Sequence, residues 1–320
     1  MMKFRQLGSS GLRVSPLSLG TANFGWVTDT TTSNRMLSRA FDAGVTFLDT
    51  ADIYNRRLGD DATEFVIGRW LRDQPGRRQQ VVLATKAYGV TGDGANDFGL
   101  SARHIRLACE ESLRRLRTDW IDLYMLHHVD LTVRWEETLE ALDRLIVQGK
   151  VLYIGTSNFA AWQLTTLHLT ARERKLFGPI SEESPYSLAE RRVELEVLPA
   201  CRHHRIGFLA YSPLAEGFLS GPDAGSRRNE RATADRRKRE GERLESWYTC
   251  CREHGLAPAS AAIAWVLAQP GVVSAVIGPR TESQLESCVE AASLDLDNAT
   301  LDAIAAEWPG PGIAPKAYAW

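Results

Sequence analysis

A closed parallel barrel, the (β/α)8 or TIM barrel, with a small N-terminal β-hairpin is the fold class predicted for this chain. Three observations predict it. Eight short β-rich runs alternate with segments of helical length. Four of those runs end on residues suited to chemistry: Phe47-Leu48-Asp49-Thr50-Ala51-Asp52-Ile53-Tyr54, Val81-Val82-Leu83-Ala84-Thr85-Lys86, Ile121-Asp122-Leu123-Tyr124-Met125-Leu126-His127 and Val151-Leu152-Tyr153-Ile154-Gly155-Thr156-Ser157-Asn158. In such a barrel every strand's C-terminal end faces one mouth, so residues far apart in sequence meet there. The length, 320 residues, is large for an average domain but ordinary for one barrel. Neither a linker nor a repeat of roughly 20–50 residues divides the chain, so a single domain over residues 1–320 is expected.

The elements follow in order. Residues 4–12 read as a hairpin turning at Gly8-Ser9-Ser10-Gly11, placed to plug the closed end of the barrel. Residues 17–20 are the first barrel strand, leading into Thr21-Ala22-Asn23-Phe24-Gly25-Trp26 at the mouth. A helix over 32–43 stops at Gly44, the residue type expected just past a helix. The second strand is 45–48 and the next helix 62–72, with Phe65, Ile67 and Leu71 among its apolar positions. The third strand, 81–85, runs into a glycine-rich loop over 89–99. Ser101 is an N-cap for a helix to about Leu116, whose buried face is supplied by Leu107, Leu113 and Leu116. Strands follow at 121–126 and 151–155, separated by a helix over 136–148 that ends at Gly149. Residues 162–170 are helical; 180–183 and 206–211 are the sixth and seventh strands. Residues 221–240 are polar, strongly basic and without apolar periodicity, and are expected to form a long excursion over the mouth. Helices over 244–253 and 258–268, a last strand over 272–277 and helices over 281–292 and within 296–308 complete the barrel, before an irregular tail.

Apolar residues make up 44% and charged residues 24%, the balance of a soluble globular protein. A net charge of −2 gives no global attraction to nucleic acid or anionic lipid. Cys109, Cys201, Cys250, Cys251 and Cys288 are odd in number and match neither a disulfide scaffold nor a zinc site, so reduced thiols and no metal are expected. No secretory leader is evident, and no apolar run approaches the roughly 18 residues needed to span a bilayer, so a cytoplasmic location is expected. The glycine fingerprint of a dinucleotide-binding Rossmann fold and the phosphate-binding P-loop are both absent.

An ordinary phenol has a pKa of about 10 and is a poor proton donor near neutrality unless its anion is stabilised. Lys86 is the ammonium that could stabilise the Tyr54 anion, and Asp49 could hold Lys86 in place and keep it charged. His127 could donate to a substrate oxygen and polarise a carbonyl that Tyr54 protonates. An Asp or Lys after a strand is more often a turn or solvated residue, and of the adjacent His127 and His128 only one is expected to face the mouth. Four such residues at the ends of three successive strands nonetheless single out a site for adding hydride to an aldehyde or ketone.

Through these residues the chain resembles the aldo-keto reductase family. Asp49-Thr50-Ala51 with Tyr54, Ala84-Thr85-Lys86, Leu126-His127 and the run from Gly149 through Phe159 are similar to its signature blocks. So are Ala210-Tyr211-Ser212-Pro213-Leu214 and Val276-Ile277-Gly278-Pro279-Arg280. The resemblance runs from about Lys3 to Leu301. It implies a barrel that binds NADPH without a Rossmann fold, and a tetrad of Tyr54, Lys86, His127 and Asp49. It implies that Ser157 and Asn158 bind the nicotinamide carboxamide and that Tyr211 stacks on the ring. Ser212 and Leu214 would contact the pyrophosphate, and Gly278, Arg280 and Gln284 the adenosine phosphate, where a guanidinium at a helix start suits a 2′-phosphate. Thr21 and Asp49 would border the cofactor, and Phe24, Trp26 and His128 the substrate. Two positions depart from the family. Glu183 stands where a Gln is usual; ionised, it could not donate to the carboxamide oxygen and would be expected to favour NADP⁺ over NADPH. Cys288 stands in place of an Asn near the adenine.

Within the family, Ala51-Asp52-Ile53-Tyr54, Ser101-Ala102-Arg103-His104-Ile105, His127-His128-Val129-Asp130 and the run Glu194 through Ala200 are similar to reductases of antibiotic deoxysugar pathways. That likeness implies reduction of a keto group, at C3, on a nucleotide-linked keto-deoxyhexose. The basic residues 227–239, Arg227 and Arg228 among them, would then meet its diphosphate. The expected partner is a small carbonyl compound, with no nucleic acid and no membrane. Two other readings compete: an NADPH-holding regulatory subunit like the channel β subunits the family also contains, and a Schiff-base aldolase using Lys86. The second leaves the Ser157-Asn158 and Tyr211 blocks without a role.

Overall fold

The computed structural model describes residues 2–221 and 230–319. Strands β1 (Arg5–Gln6) and β2 (Arg13–Val14) pair antiparallel as the predicted hairpin. Eight parallel strands then close a barrel: β3 (Leu17–Gly20), β4 (Phe47–Asp49), β5 (Val82–Ala87), β6 (Ile121–Leu126), β7 (Val151–Ser157), β8 (Ser181–Pro185), β9 (Gly207–Tyr211) and β10 (Val272–Ile277). Neighbours follow chain order and the ring closes where β10 pairs with β3, Ala275 opposite Leu17 and Ile277 opposite Leu19. This is the fold the alternation of runs predicts.

Two shifts in strand length matter for the site. β5 extends to Ala87 and β7 to Ser157 because their ladders continue: Lys86 lies opposite Met125, Ala87 opposite Leu126, and Ser157 opposite Glu183. Lys86 and Ser157 are therefore strand residues with fixed directions, not loop residues. β4 starts two residues later than expected and ends on Asp49, which faces Gly20 on one side and Ala84 on the other.

The hairpin plugs the lower end. Leu7 is fully buried with Val14, Phe47, Ala84, Leu123, Met125, Ile180, Leu209 and Val276 in the interior cluster. Gly8 has φ +58°, and a Cβ there would lie 2.4 Å from the Ile180 carbonyl oxygen. Only glycine takes both that conformation and that approach.

The helices form the outer layer, and their buried stripes place Trp70, Trp247 and Trp265 in the core with Tyr124 of β6 and Tyr186 just after β8. Ser101 caps its helix as expected, accepting from His104 N; Asp29 accepts from Thr32 N and Thr281 from Gln284 N at two further starts. The four-residue helices Arg77–Gln80 and Lys316–Ala319, the latter inside the tail expected to be irregular, were not legible in the pattern, nor were two longer ones. Val197–His204 links β8 to β9 with Pro199 in its first turn, where a missing N–H costs no hydrogen bond. Glu230–Arg239, inside the stretch read as a basic excursion without apolar periodicity, is a helix. It lacks an apolar stripe and is held instead by its arginines. Arg236 sits 4.2 Å over the Phe218 ring and donates to the Ala189 carbonyl; Arg237 donates to the Gly217 and Gly221 carbonyls. Arg227 and Arg228 lie outside the described residues. No helix of the described residues is long and apolar enough to cross a membrane.

Candidate active site

A cavity of about 790 Å³ opens at the C-terminal ends of the strands, within the range usual for small-molecule sites. Asp49, Tyr54 and His127 line one end of it, Ser157, Asn158, Glu183 and Tyr211 the middle, and Gly278, Arg280, Gln284 and Cys288 the other end.

Lys86 is fully buried beside the first group. Its ammonium pairs with Asp49 Oδ1, donates to the Thr50 carbonyl at 3.2 Å and lies 3.3 Å from Glu183 Oε1. It is 5.5 Å from the centre of the Tyr54 ring. Burial alone would pull Lys86 below the ordinary lysine value. Asp49, then Glu183 and Tyr54, outweigh that and hold it above. Asp49 is set by Thr21, whose N–H and hydroxyl both donate to the Asp49 carbonyl, at 3.0 and 2.8 Å. Glu183 behaves in the opposite sense. Burial, and after it the charge of Asp49, pushes it up to about 8 against the pull of Lys86. Burial thus favours the protonated form of Glu183, the opposite sense to the ionised carboxylate expected to favour NADP⁺.

The His127 ring meets the Tyr54 ring edge to face, with centres 5.8 Å apart, and stacks on His128 at 5.0 Å. His127 is buried, while His128 is exposed at the rim and burial of part of its ring lowers its pKa. Both reach the cavity, contrary to the expectation that one would. Asn158 ties this group to the middle of the cleft. It adopts a left-handed conformation at the end of β7 (φ 62°), which Asn tolerates better than most residues. From there its Nδ2 donates to the His127 carbonyl at 3.1 Å and to Ser157 Oγ at 2.9 Å, and its Oδ1 accepts from Tyr211 Oη at 2.9 Å. That last bond fixes the plane of a half-buried ring. Burial, with Glu183 next, pushes the Tyr211 phenol up to about 12.

At the far end Thr281 caps the helix Glu282–Ala291 and the Gln284 side chain accepts from the Arg280 N–H at 2.8 Å. Arg280 thus stands at the positive end of a ten-residue helix, a setting that attracts anions. Cys288 lines this end as a buried neutral thiol, pushed up to about 12 by burial. Ser212 (φ 52°) and Leu214 border the cavity on the loop after β9, with Glu216 and Gly217 beyond them.

Most residues singled out in the sequence thus converge on one cleft, with three qualifications. Phe24 is not at the substrate wall: its side chain is 0% exposed and belongs to the barrel's outer core, because the loop after β3 folds back there. Trp26 is 56% exposed and lines a smaller cavity of about 330 Å³ with Leu58 and Val90; the two cavities share Ile53 and Asn55. In the basic segment Arg236 and Arg237 bond backbone carbonyls, and Arg236 also pairs with Glu240, while Arg239 is exposed. Asn55 was overlooked. It takes φ 55° directly after Tyr54, and its Nδ2 donates to the Ala22 and Phe24 carbonyls, bracing the Tyr54 turn against the loop after β3. An Asn following the candidate phenol is the signal that could have found it. The loop 215–220 carried no polar motif and was equally silent.

Fold and site together define a parallel-barrel oxidoreductase. Residues 16–308 match the Aldo/keto reductase family. A Bacillus subtilis (strain 168) protein, "Uncharacterized oxidoreductase YrpG", is 44% identical over 328 residues covering 100% of both chains. "Probable aldo-keto reductase 1" of Glycine max is 32% identical over 331 residues, 98% of this chain and 91% of its own. A "Probable voltage-gated potassium channel subunit beta" of Oryza sativa subsp. japonica is 36% identical over 297 residues, 89% of each chain. The chain belongs to the aldo/keto reductase family, whose members use NAD(P)H.

Proposed function

We propose that the protein, one catalytic domain over residues 1–320, is an NADPH-dependent carbonyl reductase with Tyr54 as its proton donor. The observation that carries this reading is the buried ammonium of Lys86, held by Asp49 and 5.5 Å from the Tyr54 ring beside an open cleft. A positive charge in a water-poor site stabilises the phenolate strongly, so the phenol gives up its proton more readily. His127 orients the carbonyl oxygen toward Tyr54. The rest of the cleft has the donors a nicotinamide dinucleotide needs: Ser157 and the Asn158 amide for a carboxamide, the Tyr211 face for a ring, Ser212 and Leu214 for a pyrophosphate, and Arg280 at a helix start for a 2′-phosphate. When bound, such a cofactor supplies the hydride; every proton moved comes from the chain's own side chains. Tyr54→Phe is expected to keep NADPH binding, read by fluorescence titration, and to lose about 100-fold or more in turnover. Turnover within about tenfold of wild type removes Tyr54 from the donor role.

The finer substrate reading, a C3 keto group on a nucleotide-linked deoxyhexose, is supported only by the motifs quoted above. Profiling NADPH consumption against nucleotide sugars and simple aldehydes tests it. A cytoplasmic setting is supported by five buried, unpaired thiols. The likeness to a channel β subunit favours a second reading, a cofactor-holding regulator with little turnover. A pull-down alongside the carbonyl screen separates the two, and the intact Tyr54, Lys86, His127 and Asp49 group supports the enzyme.

A further inference from the structure

We propose that Glu183 is a positioning residue that sets how much of the Lys86 charge reaches Tyr54: uncharged, it leaves the ammonium to the phenol; ionised, it draws the ammonium to itself. The inference rests on the reading of Tyr54 as proton donor and deepens it.

The geometry is that of one cation with three claimants. Lys86 Nζ has no exposure to water, so it can be shared only among its neighbours. Asp49 from β4 pairs with it directly, Glu183 from β8 lies 3.3 Å away, and the Tyr54 ring stands at 5.5 Å. With Glu183 neutral, Asp49 and Lys86 form a balanced pair. With Glu183 ionised, two carboxylates face one ammonium and the cluster gains a net negative charge beside the phenol. That charge opposes forming a phenolate and weakens Tyr54 as an acid. The charged and titratable groups facing Glu183 are Asp49, Lys86 and, from β9, Tyr211, each of which appears in its electrostatics or is raised by it. Glu182 is its chain neighbour, but its carboxyl is taken up elsewhere, by Ser184 Oγ, the Thr156 hydroxyl and the Phe159 N–H. Burial and Asp49 push Glu183 up to about 8, so its switch falls within reach of ordinary buffers. A Gln at this position would leave Lys86 with one anion at every pH.

The test is the ionisation of Tyr54 itself, without cofactor. Tyrosinate absorbance is titrated in wild type and in Glu183→Gln, each with its Tyr54→Phe counterpart subtracted so that only Tyr54 is read. Removing the carboxyl is expected to lower the Tyr54 midpoint by about one unit or more. The rising limb of alcohol oxidation, which uses the phenolate as base, should move to lower pH by the same amount. A midpoint that stays put or rises overturns the proposal. If Gln destabilises the barrel, Glu183→Met makes the same charge change and is read the same way. Full turnover by Tyr54→Phe would sink the donor reading alone, because the Glu183 effect is still measured by the absorbance titration.

Discussion

Asp52, two residues before the proposed proton donor, is buried, and neither carboxyl oxygen has a hydrogen-bond partner of ordinary geometry. Burial, then the charge of Glu64, pushes it up to about 8. Its ordinary value is near 3.9, so between about pH 4 and pH 8 the folded chain holds a proton that the unfolded chain releases. The unfolded state binds fewer protons there, and stability falls as pH rises through that window. Asp52→Asn cannot titrate. Its stability relative to wild type is therefore expected to increase from pH 5 to pH 8, by about 1–3 kcal/mol in all. Melting curves across that range check the sign; a constant difference would show that Asp52 is ionised in the fold. At this scale the sequence was informative about the tetrad because Asp49, Lys86 and His127 each stand where a β-rich run ends, with Tyr54 five residues beyond the first. It was silent about the protonation of Asp52 and Glu183, which depends on packing from strands remote in sequence.

At the scale of elements, the hairpin shows how stability and chemistry are kept at opposite ends of the barrel. Leu7 and Gly8 seat against the starts of β8 and β9, whereas every cleft residue stands at the strands' far ends. Gly8→Ala must strain φ +58° and displace backbone 2.4 Å away. A loss of about 2–4 kcal/mol in denaturant unfolding is expected, with KM and kcat near wild type below the melting range. A change in KM for the cofactor would contradict this separation. Caps and strand runs were legible because both are local signals. The helix Val197–His204 was hidden by Pro199, which reads as a breaker unless its place in the first turn is known. Glu230–Arg239 was hidden because nothing apolar marks its inner face; Arg236 over Phe218 does that work. Phe24 was misplaced because the mixed apolar and polar loop after β3 has no period to show which side is inside.

Across the whole molecule, the ring is complete only when β10 enters between β9 and β3. A chain ending at Gln269 would leave both of those strands with unpaired backbone edges. It is expected to be insoluble or to bind neither half of the cofactor; a soluble, NADPH-binding truncation would show that the seven-stranded sheet is self-sufficient. Barrel closure was legible because strand count and order follow from alternation alone. The meeting of Arg280 with Tyr211 across one cleft was legible only through the family blocks 210–214 and 276–280, because neither strand alone shows which residues share a groove. The seam between Leu17–Gly20 and Val272–Ile277 also has a consequence during synthesis. A ribosome must deliver roughly six-sevenths of the polypeptide before the cleft has both its walls, so the nascent chain spends most of its elongation time as an unsealed sheet in need of protection from its neighbours.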